Sequence, residues 1–378
     1  MGTPTIGVEE EFFLVNPHSG AVEPAGAGVV ACAMTTLGPL VSCEFSQYQI
    51  EVKTPPCADA AALRNELLRL RACAAAAAQA HGLQLCASGT PVIASGDAAA
   101  VGDHPRYRAG VDQYRAMLDD FAVSALHVHV ELADRDLAVL VGNHLRVWLP
   151  LLVALSANSP FCHGAETGYA GWRTVIRSRF PCLGPPPYAE SLAHYDELAV
   201  AMAKSEAMLD ASLPFWDVRP NPMLPTVEIR CMDATANVDD TVALTALVRA
   251  LVITVAARAR SGDTGPRPCS ELLRAAYWRA ARDGWSGSGV DALSGQILPT
   301  PVQAARLFDH VRAALDEHGD TSIVAAFLQR LAARGGGAEQ QRASAARRGS
   351  LTAVVDDLVA LTAPTACATS QPIVGARR

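Results

Sequence analysis

A chain of 378 residues, half of them hydrophobic and 18% charged, has enough apolar material for one large core or two ordinary ones. Its net charge of −7 argues against nucleic acid as a partner, which would call for a basic surface, and all but two of its 31 basic residues are arginine. No Gly-x-x-x-x-Gly-Lys-Ser/Thr run occurs, which excludes a P-loop, and none of the ten cysteines forms a Cys-x-x-Cys pair, which speaks against structural zinc.

Residues 5–15 and 45–53 alternate as strands. No basic or apolar leader precedes the first of them, so reduced thiols in a cytoplasmic setting are the simplest expectation. Ala60 to His81, rich in alanine and leucine, predicts a helix that Gly82 is placed to end. Gln84 to Ala87 predicts a short strand, Tyr107 to Asp120 a helix, and Ala122 to Leu132 a strand with clear alternation. Asp136 is the expected cap of the apolar helix that follows, which Pro150 kinks or ends. A loop rich in Gly, Ser and Pro, 157–187, carries Arg173, Arg177 and Arg179. An amphipathic helix is expected over 190–211. Strands over 215–219 and 226–231 are joined by a proline-rich hairpin. From Asp240 onward the pattern is helical, broken at Gly335-Gly336-Gly337. Residues 1–362 are expected to form one catalytic domain, with 363–378 a flexible tail.

Two stretches are apolar enough to suggest membrane spans. Leu137 to Ala157 is interrupted by Asn143, His144, Arg146 and Pro150, and Thr241 to Ala257 by Arg249, so both read as buried helices and no membrane partner is expected. The fold class that results is α+β: a mostly antiparallel sheet with charged residues gathered on one face, backed by helices.

Chemistry concentrates in four segments. On a strand, alternation sends Glu9 and Glu11 to one face and Val8, Glu10 and Phe12 to the other. The same rule puts His127, His129 and Glu131 together, and Glu228 with Arg230. A further acidic stretch runs from Glu44 to Glu51. Alone, a Glu-x-Glu segment is more often a solvated strand face than a metal site, by roughly two to one, and His-x-His on an apolar strand reads equally as two satisfied histidines. Four of them, mostly embedded in apolar sequence, point to a shared site. Neighbouring carboxylates repel unless a cation lies between them, and a carboxylate-rich set with few imidazoles suits magnesium or manganese. Magnesium in turn suggests phosphate chemistry.

The motifs Gly7-Val8-Glu9-Glu10-Glu11, Ile50-Glu51-Val52-Lys53-Thr54 and His127-Val128-His129-Val130 resemble those of the bacterial carboxylate–amine ligases. So do Asn158-Ser159-Pro160-Phe161, Thr167-Gly168-Tyr169-Ala170, Trp216-Asp217-Val218-Arg219-Pro220 and Pro225-Thr226-Val227-Glu228-Ile229-Arg230. That family, also called glutamate–cysteine ligase type 2, is similar to the glutamine synthetase superfamily. The resemblance runs from about residue 5 to about residue 355 and includes Trp278-Arg279-Ala280-Ala281-Arg282-Asp283-Gly284 and Gln341-Arg342. It implies a glutamine synthetase-like antiparallel sheet forming an active-site funnel, and an ATP-dependent ligase with magnesium (or manganese) ions inside. The reaction implied joins a small-molecule carboxylate to an amine through an acyl phosphate, with a weak glutamate–cysteine activity giving γ-glutamylcysteine.

Carried over by position, the resemblance implies that Glu9, His127 and Glu228 hold the ion beside the γ-phosphate, and Glu11 and Glu51 the ion on the acyl side. It adds Glu44 to the metal set, although seven residues separate Glu44 from Glu51, so that a bend or bulge is needed to bring them to one face. Arg230 and Arg219 are the expected catalytic arginines. Arg173, Arg177 and His129 are candidates for phosphate or substrate carboxylate, with an ordinary surface loop as the alternative for the two arginines. Glu131 and His129 are the candidate bases for the amine. Relatives also imply a homodimer. Tyr277 stands where the family often has asparagine, which bears on substrate preference if that side chain borders a pocket. Two other functions fit the same residues: a metal-dependent phosphotransferase that forms no amide, and a non-catalytic amino-acid or nucleotide sensor.

Overall fold

The computed structural model describes residues 3–95 and 101–363; all of the expected tail but Ala363 lies outside them. Strand β1 spans Ile6–Val15. Helix α1, Gly26–Leu37, follows in a stretch to which no element was assigned from its residue pattern. The strand predicted over 45–53 is instead two strands, β2 (Val41–Cys43) and β3 (Gln49–Lys53), with a turn between them. Helix α2, Ala60–Ala80, starts where Asp59 accepts the Ala62 amide and stops before Gly82 at φ +72°, a backbone that side chains with a Cβ rarely adopt. Then come β4 (Gln84–Cys86) and α3 (Pro105–Tyr114); a short 3-10 turn occupies part of the longer helix expected there.

Strand β5 is Ala125–Glu131. Helix α4, Arg135–Leu145, is capped by Asp134, whose carboxylate accepts the Leu137 amide at 3.0 Å, and not by Asp136, which lies inside the first turn. Helix α5, Leu149–Ser156, is turned 70° from α4. Pro150 sits in its first turn, where its missing N–H costs nothing. The supposed loop 157–187 contains a hairpin, β6 (Phe161–Cys162) with β7 (Ala165–Glu166), and helix α6, Trp172–Arg177. Helix α7, Leu192–Lys204, is capped by Ser191 and stops short of Ala211. Strands β8 (Val218–Pro220) and β9 (Thr226–Asp233) form the expected hairpin. The rest is mainly helical: α8 (Val238–Arg260), α9 (Ser270–Asp283), the small hairpin β10 (Ser288–Val290) and β11 (Ile297–Pro299), α10 (Thr300–His318), α11 (Thr321–Arg334), α12 (Gly337–Arg348) and α13 (Leu351–Thr362).

The main sheet runs β2-β3-β1-β5-β9-β8, with β4 added beside the end of β1, and its registered pairs are antiparallel. One face is apolar: Val8, Leu126, Val128, Val227 and Ile229 pack with α4, α5 and α8 in the largest core cluster. Phe12, Ile50 and Val52 pack against α1 and α2 in a second cluster. Helix α8 is apolar enough to cross a bilayer, with a mean hydropathy of 1.8 over its best window, but 78% of that window is buried inside the fold. Its apolarity therefore serves the core.

Register carries the charged residues of the other face across the sheet. Glu11 stands opposite Glu51, Glu9 opposite His127, and Glu228 opposite both His129 and Arg219. Between Leu126 and Val128 the pairing with β9 slips, Leu126 facing Met232 but Val128 facing Ile229. That bulge holds the extra residue in β9, beside Arg230 and Cys231.

Candidate active site

Three groups of ligand-type atoms, each within 4.8 Å of one another, lie along the charged face: Glu9 with His129 and Glu228, Glu9 with Glu51 and His127, and Glu11 with Glu44 and Glu51. Glu9 is shared by the first two and Glu51 by the last two, so the groups form one strip. Alternation along β1 and pairing across β3, β5 and β9 are enough to build it. Glu44 joins because the turn after β2 supplies the bend that its spacing requires.

His129 is poised as a ligand. Its Nδ1 meets Thr226 Oγ1 at 3.0 Å, while its buried Nε2 has no hydrogen-bond partner and lies 3.5 Å from Glu9 Oε1. A ring nitrogen fixed by one hydrogen bond, with the other free, is the arrangement usual for imidazoles that hold a metal. His127 Nδ1 is 3.0 Å from Glu9 Oε2 and 3.4 Å from Arg230 Nη1. The grouping therefore departs from the expected trio of Glu9, His127 and Glu228: His129, directly opposite Glu228, takes the place of His127, and the β9 bulge sets Arg230 against His127.

Burial would push Glu9 up, but His127 and His129 beside it hold its carboxyl far below the usual range. Glu228 is likewise held down against burial, by Arg230 and Arg219. At the other end no cation suffices. Burial pushes Glu11 up, and burial with Glu11 and Glu51 nearby pushes Glu44 well above the ordinary range. Burial and Glu9 raise Glu51 to about 7, although Lys53 Nζ lies 2.7 Å from it. Burial and Arg230 push His127 down to about 3, so it is neutral and able to ligate. Crowded carboxylates without enough countercharge, with the neutral His127 imidazole among them, fit a divalent cation.

The arginines divide by position. Arg219 grips Glu228 with two nitrogens, Nε at 2.8 Å and Nη2 at 3.1 Å, and gives Nη1 to Pro214 O at 2.8 Å. With every nitrogen group so engaged, it positions Glu228. Arg230 also pairs with Glu228, but its buried Nε has no partner. Arg173 and Arg177 are buried on α6, which excludes the surface-loop alternative. Arg173 donates to the carbonyls of Cys231 and Arg230 at 3.1 Å each, and its Nε is unpartnered; Arg177 pairs with Asp217. Both face a cavity next to Glu11, away from Glu228's end of the strip.

Glu131 does not join the site. It lies about 13 Å along the strand from His127 at 3.3 Å per residue, and its exposed carboxylate receives the Thr5 amide and hydroxyl at 3.0 and 2.9 Å. It ties the end of β5 to the start of β1 and is not a base. Sequence reasoning also gave no role to Asn221, whose Nδ2 donates to Glu228 at 2.8 Å, to Lys53, or to Ser42 and Gln49, which donate to Glu51 and Glu11 at 2.9 and 3.3 Å. Lys53 was findable: it stands two residues from Glu51 on the same face.

Other motif residues are scaffold. Asp233 accepts the Asn158 amide at 3.0 Å and the Ser159 hydroxyl at 2.7 Å. Gln341 Nε2 reaches Asn158 O at 2.9 Å, and Arg342 holds Glu166 and the Tyr169 carbonyl. A Cβ on Gly337 would lie 2.4 Å from Asn158 Oδ1, so only glycine permits this approach. Tyr277 is buried on α9 in the wall of a separate cavity of about 700 Å³ that also includes Arg177 and Asp217.

The model of glutamate–cysteine ligase family 2 matches residues 5–357. A protein of Nocardia farcinica (strain IFM 10152) named "Putative glutamate--cysteine ligase 2-1" is 40% identical over 362 residues, covering 96% of this chain and 94% of its own. One of Salinispora arenicola (strain CNS-205), "Putative glutamate--cysteine ligase 2", is 43% identical over 362 residues, 95% of each chain. Among solved structures, the glutamate–cysteine ligase of Francisella tularensis, in complex with AMP, superposes with a TM-score of 0.69 at 12% identity, over 96% of this chain and 90% of that one. A bifunctional glutathione synthetase from Pasteurella multocida gives 0.67 at 14% identity, over 95% of this chain and 52% of that one. At such identities these two structures speak to the fold.

Proposed function

The chain belongs to glutamate–cysteine ligase family 2, and from that membership we propose that it joins a small-molecule carboxylate to an amine at the expense of ATP, on the strip that runs from Glu228 to Glu44. The observation that carries the proposal is the strip itself: three linked carboxylate groupings, two of them with an imidazole, and Arg230 at their centre. Such a site can hold a triphosphate at one end and an acid at the other.

Glu9, His129 and Glu228 would hold one magnesium or manganese ion, Glu11, Glu44 and Glu51 another, and Glu9, His127 and Glu51 offer an intermediate position. Bound there, the ions neutralise phosphate charge and align the reacting oxygens. The protein's own part begins with orientation. Arg219 and Asn221 fix Glu228 so that its carboxylate keeps one geometry. Arg230, whose Nε is free, faces the charge that grows on the γ-phosphoryl group as it passes to the acid. In that first step a carboxylate oxygen attacks phosphorus, the bond to ADP breaks, and an acyl phosphate results. The amine nitrogen then attacks the acyl carbon, phosphate leaves, and nitrogen gives up a proton. Burial of the strip keeps water away from the activated acid.

Glutamate and cysteine are the default pair, giving γ-glutamylcysteine. Residues 1–362 acting as one catalytic unit, a homodimer and a cytoplasmic setting belong to the same proposal. The test measures ADP, phosphate and product mass with acids and amines supplied together. Amide with equal ADP and phosphate supports a ligase. A stable phosphorylated acceptor without amide would make the protein a phosphotransferase, and no ADP from any pair would make it a sensor.

A further inference from the structure

Lys53 is one of only two lysines in the chain, and β3 carries it on the charged face of the sheet, two residues from Glu51. Register sets it directly opposite Glu9, as Glu51 is set opposite Glu11. Side chains that face one another in this way have Cβ atoms about 5 Å apart. The ammonium lies 2.7 Å from Glu51 Oε1, an oxygen that also accepts the Ser42 hydroxyl at 2.9 Å. Burial would lower the basicity of Lys53, but Glu51, Glu9 and Glu44 together raise it above the ordinary lysine value. A fixed positive charge therefore stands among the carboxylates of the strip.

The three groupings are not equivalent. Glu228 belongs to the first alone, and Glu11 and Glu44 to the last alone. The middle one, Glu9 with Glu51 and His127, has no carboxylate of its own, since Glu9 and Glu51 each serve a neighbour as well. Its histidine is flanked by another cation, with Arg230 Nη1 3.4 Å from Nδ1. The last grouping differs. Among the described residues, hydrogen bonds engage Oε2 of Glu11 and Glu44 and Oε1 of Glu51, and they leave the other oxygen of each for an ion. A divalent ion in the middle would share both of its carboxylates with ions on either side. An ammonium already sits on one of those carboxylates and faces the other. Positive charges so close together repel strongly where water is partly excluded.

We propose that Lys53 is a built-in substitute for a metal ion: its ammonium supplies the positive charge of the middle position, and the strip takes divalent ions only at its two ends. Lysine suits this role because its ammonium is a compact point charge on a long stem, whereas a guanidinium is broad and planar. The inference rests on the metal-dependent ligase reading and fixes which of its three positions an ion fills.

The test counts ions on the full chain by equilibrium dialysis against manganese, with a non-hydrolysable ATP analogue in both compartments. Wild type should take up two per chain, Lys53→Met three, and Lys53→Arg, which keeps the charge, two. The third ion of Lys53→Met should bind at least about tenfold more tightly than any third ion of the wild type. Without metal the thermal midpoint of this variant should fall, because Glu51 loses its partner, and manganese should raise it by more than it raises the wild type. Lys53→Ala repeats the count if the methionine variant does not fold. Three ions on the wild type or on Lys53→Arg, or equal numbers on wild type and Lys53→Met, would overturn the inference and leave the ligase reading standing. The expected counts without amide from any acid and amine would support the role of Lys53 while sinking the ligase reading. No manganese on any of these proteins would overturn both.

Discussion

Arg71 holds both oxygens of Glu10 from behind the sheet, Nε at 2.9 Å and Nη2 at 2.5 Å, while the adjacent Glu9 and Glu11 face the site. The same guanidinium donates to the carbonyls of Thr235 and Ala236, and Thr241 Oγ1 donates to Glu10 at 2.7 Å. Both members of the pair are 1% exposed. Arg71→Leu would leave a carboxylate buried without its partner and should lower stability by about 3–5 kcal/mol. Urea unfolding measures it; a loss below about 1 kcal/mol would show that the fold relaxes around Glu10 or protonates it at little cost.

Glu228→Gln should abolish turnover and also lower the thermal midpoint. Removing a metal ligand from an acidic cluster would ordinarily relieve repulsion. Here Glu228 balances two arginines, Arg219 and Arg230, and the amide leaves both short of countercharge. Unaltered melting would show that these arginines find other partners, and near-normal turnover would remove Glu228 from the metal set.

Arg230→Lys keeps a charge but loses the planar fork. We expect kcat to fall about a hundredfold with KM little changed, since the contact matters for charge that develops during transfer. Rapid-quench measurement of ADP formation isolates that step. An unchanged rate would reduce Arg230 to a partner of Glu228.

Magnesium should raise the melting temperature of the metal-free protein, because the Glu11–Glu44–Glu51 grouping lacks countercharge until a cation enters. Glu44→Gln should raise the metal-free midpoint and shrink the magnesium shift. EDTA should silence turnover and added magnesium restore it. Full activity in excess EDTA would refute the metal assignment.

Burial pushes the thiols of Cys86 and Cys162 up to about 12, so at pH 8 they remain protonated. Cys269 is exposed. Iodoacetamide followed by peptide mapping should label Cys269, spare Cys86 and Cys162, and leave activity intact. Labelling of Cys86 in the folded protein would show that β4 opens readily.

Strand alternation made much of the site legible, because period two is a backbone property: Glu9 and Glu11 part from Glu10 as that period requires. Alternation failed where the chain departs from an even ladder. Which histidine serves Glu228 depends on the β9 bulge, a register feature that a single segment does not encode. Glu131 keeps the phase of the site and is simply too far along the strand to reach it. The expected cap at Asp136 was two residues late because Asp134 and Asp136 both suit a helix start, and only packing selects between them. Helix α1 is weakly marked in the sequence, since its Gly, Val and Thr residues are weak helix formers and its burial against α2 and the sheet supplies the stability. The cavity next to Glu11 was invisible, since its walls come from segments up to 170 residues apart, from Phe45 to Phe215.

Thr362 is the last residue of α13, yet its carbonyl accepts from Arg71 and its hydroxyl from the Ala87 amide. The brace behind the first strand is thus completed by a residue some 350 positions later. During synthesis, a nascent chain still tethered at residue 350 has every carboxylate of the strip outside the ribosome but lacks this final clasp. Premature termination in α13 should therefore yield a polypeptide with all of its proposed catalytic side chains and a loosened first strand, open to proteolysis.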